Sequence, residues 1–287
     1  MNQILFDMMS QYDLETLPLK ENAFQEVCQN LLLVALSHTD FFDHAAFYGG
    51  TCLRIFHGLD RFSEDLDFAI TSEEEDFSLT PYLPAINRHF GIYGLNVVSS
   101  VRAKSVSTNV ESGIVESNAR EAMLSIFPKD PDVEKIVFNQ KIKIKFEISK
   151  SFIPGATFER KTLRLPEFAS VRLYDRSSLF SGKLGAVLCR EWKSRVKGRD
   201  YYDFAFYVAR RTKPNLVYLE AELKKEGVLA PNENLTPQLL HSLLKKKIGE
   251  VDFNQAKADV IPFVSARKDL NFWKKEFFLD LVDELIF

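Results

Sequence analysis

Residues 47–70 read FYGGTCLRIFHGLDRFSEDLDFAI, and this stretch decides what the fold has to provide. A predicted short strand, Ala45–Tyr48, runs into Gly49 and Gly50, and a predicted helix starts at Thr51. Glycine has no Cβ, so the backbone can turn sharply there and let a bulky anion approach it closely. The first backbone N–H groups of the helix would then form a positive N-terminus suited to phosphate.

Two aspartates one residue apart, Asp65 and Asp67, follow where the pattern changes to that of a strand. Alternate side chains of a strand share a face, so both carboxylates are expected to point one way while Leu66 and Phe68 point into a core. Adjacent carboxylates repel unless a cation lies between them, and Mg²⁺ takes oxygen ligands and often shares them with substrate phosphates. The stretch therefore predicts a phosphate-and-metal site. The plainer interpretation places Asp65 in a turn and Asp67 on a solvated strand face.

The composition is that of a globular protein with a substantial core, since 46% of the 287 residues are apolar. The formal net charge is -3, but the charges are unevenly distributed. Glu64–Asp76 contains seven acidic and no basic residues, whereas Lys183–Lys225 contains eleven basic and five acidic residues. The first region is suited to cations and the second to phosphates, unless both are ordinary solvated faces.

The sequence shows no sign of export or of a membrane anchor. Cys28, Cys52 and Cys189 are far apart and lack metal-ligand spacing, which is typical of reduced, buried thiols. The N-terminal residues lack a basic start followed by an apolar run, and the longest aliphatic run, Leu31–Leu36, is too short to span a bilayer. We therefore expect a soluble, cytoplasmic protein with no membrane partner.

A third carboxylate is predicted on the strand Lys141–Ser149, KIKIKFEIS. Strict alternation places four apolar side chains on one face and Glu147 with three lysines on the other. Beside a two-carboxylate site, Glu147 is the best candidate for a group that holds a second metal or deprotonates the attacking hydroxyl. The alternative is a surface ion pair between Glu147 and a neighbouring lysine.

Basic residues suited to phosphate come later, on a predicted helix over Leu179–Trp192. Lys183 and Arg190 lie seven residues apart, so both side chains point to roughly one face of the helix. The alternative is that both are simply solvated. A second helix is predicted from Asp200, with Asp203 one turn on. Asp200 could be only an N-cap, and Asp203 could pair with a basic residue of the preceding helix, or both could contact nucleotide.

The rest of the sequence indicates a mixed α/β N-terminal part and a helical C-terminal part, with the boundary near Tyr174. Leu95–Ala103 and Glu121–Phe127 alternate like strands, with an irregular polar segment between them. The remainder after Asn215 is predicted to form three or four helices, and no catalytic spacing occurs there.

These residues resemble the AbiEii/AbiGii toxin family, which consists of nucleotidyltransferases of the DNA polymerase beta-like superfamily. The resemblance rests on Gly49-Gly50-Thr51, on Arg61-x-Ser63-x-Asp65-Leu66-Asp67, and on Lys183 with Arg199-Asp200-Tyr201-Tyr202-Asp203. It covers the front half through Asp67 and the block from Lys183 to Asp203, and hardly extends to the end of the chain. Thr51 stands where many members of the superfamily have serine, so a hydroxyl is retained.

The resemblance implies an α/β (α+β) fold, in which a nucleotidyltransferase-type mixed sheet flanked by helices precedes a helical C-terminal domain. Residues 1–174 would be the catalytic domain, and residues 175–287 would complete the cleft for nucleotide and acceptor. It also implies transfer of a nucleoside monophosphate from a nucleoside triphosphate with release of pyrophosphate, dependent on Mg²⁺ with Mn²⁺ as the alternative. The implied acceptor is tRNA, and the implied partner is the antitoxin of a two-gene abortive-infection pair.

The expected roles follow from the residues and the resemblance together. The triphosphate would bind at Gly49, Gly50 and Thr51, and the metal at Asp65, Asp67 and Glu147, with Glu147 alternatively the base. Lys183 would offset negative charge on the phosphates. The rest of the nucleotide pocket would comprise Arg61, Ser63, Arg190, Asp200 and Asp203.

Other functions fit the same residues less well. One is a nucleotidyltransferase that modifies a small molecule or a protein side chain, and another is a metal-dependent phosphohydrolase. A third is a non-catalytic module that binds nucleotide or a partner, which the presence of all the carboxylates and Lys183 disfavours.

Overall fold

The computed structural model describes residues 2–73, 76–102, 109–190, 196–264 and 270–287. The strands of this part of the chain are β1 Ala45–Tyr48, β2 Leu66–Ile70, β3 Val97–Val101, β4 Val110–Asn118, β5 Lys141–Ser149, β6 Phe158–Leu163 and β7 Ala169–Tyr174. The helices are α1 Gln3–Met9, α2 Leu17–Ser37, α3 Phe41–His44, α4 Gly49–His57, α5 Leu83–Ile92, α6 Ala119–Ile126, α7 Pro131–Glu134, α8 Arg176–Cys189, α9 Gly198–Ala209, α10 Leu216–Lys225, α11 Pro237–Gly249, α12 Phe253–Val260 and α13 Lys275–Asp283.

The strands form one mixed sheet in the order β3-β4-β5-β2-β1-β7-β6. The three strands at its centre are β5, β2 and β1, of which β2 is parallel to β5 and antiparallel to β1. Leu66 and Phe68 of β2 are fully buried, as the alternation predicted. The mixed α/β fold is thus confirmed, and the central strands are those that carry Asp67 and Glu147.

The chain divides into two compact units. The first comprises residues 1–52, 62–152 and 160–173, and the second comprises residues 53–61, 153–159 and 174–287. In the first unit, α2 packs against α5 and β5, and most of its apolar side chains are buried. Cys28 and Cys52 are buried and Cys189 is partly buried, and all three are free thiols.

The prediction of a strand over Glu121–Phe127 was wrong, because this segment lies largely in helix α6. The side chain of Asn118 caps the helix by accepting a hydrogen bond from the N–H of Glu121 at 3.0 Å. The buried residues of α6 follow helical spacing: Ala119, Ala122, Met123 and Ile126. Of the polar segment before it, which was predicted to be irregular, the described part from Val110 to Asn118 forms β4 instead.

A glycine explains why that polar segment can pair inside the sheet. A Cβ on Gly113 of β4 would lie 2.1 Å from the ring of Phe146 on β5, so only glycine leaves room for the phenylalanine. The strand predicted over Leu95–Ala103 is present as β3, although Ala103 lies outside the described residues.

The second unit is helical, as predicted for the back of the chain. The helix expected over Leu179–Trp192 begins earlier, because Asp175 caps α8 by accepting from the N–H of Ser178; Trp192 lies outside the described residues. Helices α10 to α13 follow in the described part of the chain, which agrees with the three or four helices predicted after Asn215. Within the described ranges, no helix is both long and apolar enough to cross a bilayer.

Candidate active site

The aspartate pair lies at the start of β2, next to the turn that begins α4. Tyr48, the last residue of β1, is opposite Asp67 in the antiparallel pair, so Gly49 comes directly beside the Asp67 carboxylate. Gly49 has a φ of 81°, and a Cβ there would lie only 2.5 Å from Oδ2 of Asp67. The left-handed conformation and the missing Cβ are therefore both needed for Asp67 to occupy this position.

The second aspartate is held through its backbone. The hydroxyl of Thr51, which is fully buried, donates a short hydrogen bond to the carbonyl oxygen of Asp65. Two residues earlier, the carbonyl of Ser63 accepts from Nε2 of the buried Gln29 at 2.9 Å. The Thr51 hydroxyl thus links the first turn of α4 to the loop that presents Asp65, and Ser63 contributes its backbone to the same loop.

Glu147 lies on the strand next to the aspartates. It is the register partner of Asp67 in the parallel pair β2–β5, so the two side chains lie on the same face of the sheet. The hydroxyl of Ser112 on β4 donates to Oε1 of Glu147. The structure therefore brings Asp67 and Glu147 onto neighbouring strands. That they share a metal site stays a prediction.

A lysine that the motif analysis placed only on the polar face of β5 accompanies these carboxylates. Nζ of Lys145 lies 3.0 Å from Oε2 of Glu147. Burial lowers the pKa of Lys145, but the hydrogen bond with Glu147 and the negative charges of Asp65 and Asp67 outweigh burial and raise it. The surface ion pair considered as an alternative for Glu147 is thus present. Its lysine also lies within the electrostatic field of Asp65 and Asp67.

The donor set of Asp65, Asp67 and Glu147 consists of carboxylate oxygens alone, which suits a hard cation such as Mg²⁺. Within the described part of the chain, these three side chains do not bring their oxygens within 4.8 Å of one another; the group that meets this distance is His38, His89 and Glu167. The three side chains are therefore suited to Mg²⁺ by the type of their ligand atoms.

The basic residues of the motif form a buried charge network within the second unit. Nζ of Lys183 on α8 lies 2.7 Å from Oδ1 of Asp200 and 2.9 Å from Oδ2 of Asp203, both on α9. Arg61 donates to both oxygens of Asp203, each at 2.7 Å, in the two-pronged geometry that the guanidinium fork favours. Arg190 donates to Asp200 through a short contact.

This network keeps the buried carboxylate of Asp200 ionised. Burial acts to raise the pKa of Asp200, but the charges and hydrogen bonds of Lys183 and Arg190 prevail and hold that pKa at about 2. Burial likewise acts to lower the pKa of Lys183, and the charges of Asp200 and Asp203 raise it overall. Three cations thus surround two anions, which leaves the cluster with one excess positive charge at neutral pH.

The structure excludes the N-cap interpretation of Asp200. Helix α9 is preceded by Lys197 at the N-cap, so Asp200 lies in the first turn and is not the N-cap. The pairing of Asp203 with a lysine of the preceding helix, considered as an alternative to nucleotide contact, is present. Of the three cations, Arg190 has the most accessible side chain, at 44% exposure, against 13% for Lys183.

The other residues of the Arg-Asp-Tyr-Tyr-Asp block also tether α9. The guanidinium of Arg199 lies over the ring of Phe263 at 4.2 Å. The hydroxyl of Tyr202 donates to Oδ1 of Asp60 at 2.5 Å, and the fully buried Tyr201 packs against aromatic rings of α12 and α13. Every side chain of this block therefore has a fixed partner within the second unit.

Comparison with known families identifies the family to which this chain belongs. The family model described as nucleotidyl transferase AbiEii toxin, type IV toxin–antitoxin system, matches residues 31–280. The chain belongs to this AbiEii family. It is therefore a nucleotidyltransferase toxin, and membership of a type IV system implies both a nucleotide substrate and an antitoxin partner. Nucleotidyltransferases of this kind use a nucleoside triphosphate and a divalent metal.

Solved structures share the fold of this AbiEii protein at low sequence identity. The MenT4 nucleotidyltransferase toxin from Mycobacterium tuberculosis H37Rv is 15% identical with a TM-score of 0.61, and the match covers 98% of this chain and 90% of that one. JHP933 from Helicobacter pylori is 17% identical with a TM-score of 0.51, over 92% of this chain and 89% of that one. Among curated proteins, no significant match is found.

Sequence reasoning missed three residues that shape the site of this AbiEii protein. Gln29 holds the Ser63 carbonyl from α2, Ser112 holds Glu147 from β4, and Lys145 balances the charge of the carboxylates. The first two come from remote segments, and only their contacts identify them. Lys145 could have been found, because it lies two residues from Glu147 and so shares its face of β5.

Proposed function

We propose that this AbiEii toxin transfers a nucleoside monophosphate from a nucleoside triphosphate to tRNA, in a reaction that depends on Mg²⁺ and releases pyrophosphate. The acceptor hydroxyl attacks the α-phosphorus, the bond from that phosphorus to the bridging oxygen breaks, and pyrophosphate leaves. The proton of the hydroxyl passes to a carboxylate base or to water. Mn²⁺ is the expected substitute for Mg²⁺.

The observation that carries the proposal is the placement of Asp67 between Gly49 and Glu147. The missing Cβ of Gly49 leaves room for the Asp67 carboxylate, and the parallel pairing of β2 with β5 puts Glu147 on the same face. A metal-dependent transfer needs such oxygen ligands beside a phosphate-binding turn. We assign the metal to Asp65, Asp67 and Glu147, and Mg²⁺ bound there would neutralise charge on the phosphates and polarise the α-phosphorus.

The phosphates are assigned to the start of α4 and to the basic residues. The free N–H groups of Gly49, Gly50 and Thr51 at the helix N-terminus are the proposed donors to the triphosphate. Because the Thr51 hydroxyl is already engaged with Asp65, the backbone of Thr51 and not its side chain is the proposed contact. Ser63 supports this region through its loop.

Lys183 and the residues around it are proposed to supply positive charge to the nucleotide. The network of Arg61, Lys183, Arg190, Asp200 and Asp203 carries one excess positive charge, and Arg190 is its most accessible cation. We propose that the two aspartates position the cations while the cations attract phosphate. In this proposal residues 1–174 form the catalytic domain, and residues 175–287 form the helical domain that serves nucleotide and acceptor.

A polyanionic acceptor is favoured by the charge of the second unit. Eleven basic residues against five acidic ones in Lys183–Lys225 favour RNA over a neutral small molecule. Of these, Lys224 pairs with Glu220 at 2.8 Å, whereas Lys183 and Arg190 belong to the network that keeps one excess positive charge. Transfer to RNA should accordingly weaken as the salt concentration rises.

The test incubates the purified chain with Mg²⁺, total RNA and each nucleoside triphosphate, labelled either at the α- or at the γ-phosphorus. The proposal expects α-label in the tRNA band and γ-label released as pyrophosphate, both abolished by a chelator. Label in protein or in small molecules would show that the acceptor is one of these and not tRNA. Release of inorganic phosphate without a labelled acceptor would show hydrolysis in place of transfer.

The assignment of the metal ligands is tested with isosteric variants. Asp65→Asn and Asp67→Asn should each lose transfer while the circular dichroism spectrum is unchanged. Glu64→Gln is the matched control, because it removes an adjacent, exposed carboxylate from the same loop and should retain activity. A folded Asp65→Asn/Asp67→Asn double variant that still transfers nucleotide would overturn the assignment.

A further inference from the structure

A second group of potential metal ligands lies elsewhere in the first unit. His38 follows the last residue of α2, His89 lies in the last turn of α5, and Glu167 lies in the loop between β6 and β7. One ligand atom from each of these side chains lies within 4.8 Å of the other two. The three segments are remote in sequence, so the folded structure alone brings these side chains together.

The contacts inside this group leave one nitrogen without a partner. Nε2 of His38 lies 2.6 Å from Oε1 of Glu167, and the rings of His38 and His89 have their centroids 5.6 Å apart. His89 is only 7% exposed, and its Nε2 atom is shielded from solvent with no hydrogen-bond partner among the described residues. A buried imidazole nitrogen without a partner is costly, and a metal ion is one of the few groups that satisfies it.

A cavity of about 360 Å³ adjoins the group. His38, His89 and Glu167 all line it, together with Thr39, Arg88 and Tyr93 and the small side chains of Ala35 and Ala85. The side chains of His38 and Glu167 are 57% and 41% exposed, so an ion can reach them from solvent. The cavity also has ample room for a water molecule as a further ligand.

Both histidines lie where a helix favours positive charge. The carbonyl groups at a helix C-terminus carry partial negative charge, which stabilises a nearby cation. Helices α2 and α5 pack against each other and end at this group, with Glu167 adding a full negative charge. The helix ends and Glu167 therefore place negative charge beside the ligand atoms, although Arg88 on the wall of the same cavity opposes it.

The donor set indicates which cation. Two imidazole nitrogens and one carboxylate oxygen, with a fourth position open to water, form the set that Zn²⁺ takes in sites with an open position. Mg²⁺ prefers oxygen ligands alone, so this group differs in kind from Asp65, Asp67 and Glu147. We propose that His38, His89 and Glu167 bind one Zn²⁺ ion that ties the ends of α2 and α5 to the loop before β7.

Zinc binding requires only a small rearrangement of the pair formed by His38 and Glu167. Tetrahedral bonds of roughly 2.0–2.1 Å place ligand atoms roughly 3.3 Å apart, so the present 2.6 Å contact opens by a few tenths of an ångström. Both side chains are partly exposed and free to move by that amount, whereas the buried His89 already faces the group. The ion takes the place of the hydrogen that the pair now shares.

The test is a calorimetric titration of the chelator-treated chain with Zn²⁺. We expect one ion per chain for the wild type and at least tenfold weaker binding for Glu167→Gln and for His38→Gln. These two positions are partly exposed, so their variants should fold even if a variant at His89 does not. His241→Gln, which removes a histidine of the other unit, is the control and should bind as the wild type does.

Three further measurements separate this site from the proposed catalytic metal. The Asp65→Asn/Asp67→Asn double variant should keep its zinc stoichiometry, and Co²⁺ bound to the wild type should give the intense visible absorption of tetrahedral coordination. Zinc should raise the unfolding temperature of the wild type and not that of Glu167→Gln. The proposal is overturned if the wild type binds no more zinc than Glu167→Gln, or if the double variant loses the ion.

Discussion

Gly49 and Asp67 are in direct contact, so that a Cβ on residue 49 would lie 2.5 Å from the Oδ2 atom of Asp67. Glycines in such motifs are usually explained by the approach of a phosphate to the backbone. In this protein the first group that requires the glycine is a carboxylate of the same chain. The turn that we assign to phosphate and the carboxylate that we assign to the metal are thereby parts of one packed unit, and a change in one is expected to disturb the other.

Replacing Gly49 with alanine should therefore impair catalysis more than it impairs folding. The left-handed φ of 81° costs roughly 1–2 kcal/mol of unfolding free energy for a residue with a Cβ, and the new methyl group displaces Asp67. We expect nucleotidyl transfer to fall at least tenfold. Transfer rates and denaturant unfolding of Gly49→Ala measure the two effects separately.

The control for this variant is Gly58→Ala. Gly58 has a similar φ of 74°, but a Cβ there would meet no atom within 4 Å. It should lose a similar amount of stability and keep its activity. Equal activity in the two variants would mean that contact with Asp67 does not matter for transfer.

The pair formed by Arg61 and Asp203 should contribute strongly to stability because it is buried. The side chains are 3% and 0% exposed, and Asp203→Asn leaves the guanidinium of Arg61 and the ammonium of Lys183 short of a counter-charge. Breaking a buried pair in this way costs roughly 3–5 kcal/mol. Urea unfolding monitored by circular dichroism should show this loss.

A solvent-accessible pair of the same unit provides the comparison. Lys224 and Glu220 lie 2.8 Å apart on α10, four residues apart, and such pairs contribute roughly 0.3–0.5 kcal/mol. Lys224→Gln should hardly change the unfolding midpoint. Comparable losses in Asp203→Asn and Lys224→Gln would show that burial of the network does not control its contribution.

Local sequence was sufficient to predict the carboxylate motif. β1 has the predicted bounds Ala45–Tyr48, and the alternation around Asp67 correctly identified the buried Leu66 and Phe68. These features depend on neighbours within a few residues, because strand alternation and a glycine turn are properties of the local backbone. Glu147 was placed by the same alternation on the face that it shares with Asp67.

Contacts between remote segments could not be predicted in the same way. Arg61 was expected to support the nucleotide pocket, and its partner Asp203 lies 142 positions later. The error over Glu121–Phe127 has a different cause, since short apolar alternation also fits the buried face of a helix and only the cap at Asn118 favours the latter. His38, His89 and Glu167 lie far apart in the sequence, so no local pattern identifies them as a group.

Glu222 should make stability fall as the pH rises. Burial, with the charge of Glu226 adding to it, raises the pKa of Glu222 from its ordinary value of 4.5 to about 8, and its Oε2 atom has no hydrogen-bond partner. Below pH 4.5 the carboxyl is neutral in both states. Between pH 4.5 and 8 the unfolded chain loses the proton while the folded chain keeps it, so unfolding becomes easier.

Glu222→Gln removes this titration and keeps the shape of the side chain, which Gly185 accommodates. The variant should be more stable than the wild type at pH 8 by roughly 4 kcal/mol, and the difference should vanish near pH 4. Unfolding free energies across this range are the measurement, with Glu226→Gln as a control that should show only a small gain. A difference that does not depend on pH would contradict the prediction.

Lys145 should compete with the metal that we assign to Asp65, Asp67 and Glu147. Its ammonium lies 3.0 Å from Glu147 and within the field of both aspartates, so it partly neutralises the charge that attracts Mg²⁺. Lys145→Met should therefore bind Mg²⁺ about threefold to tenfold more tightly, as calorimetric titration of the free protein would show. Lys143→Met is the control, because Lys143 pairs with Glu116 at 3.2 Å and its loss should leave Mg²⁺ binding unchanged. Unchanged or weaker binding in Lys145→Met would show that the lysine does not oppose the metal.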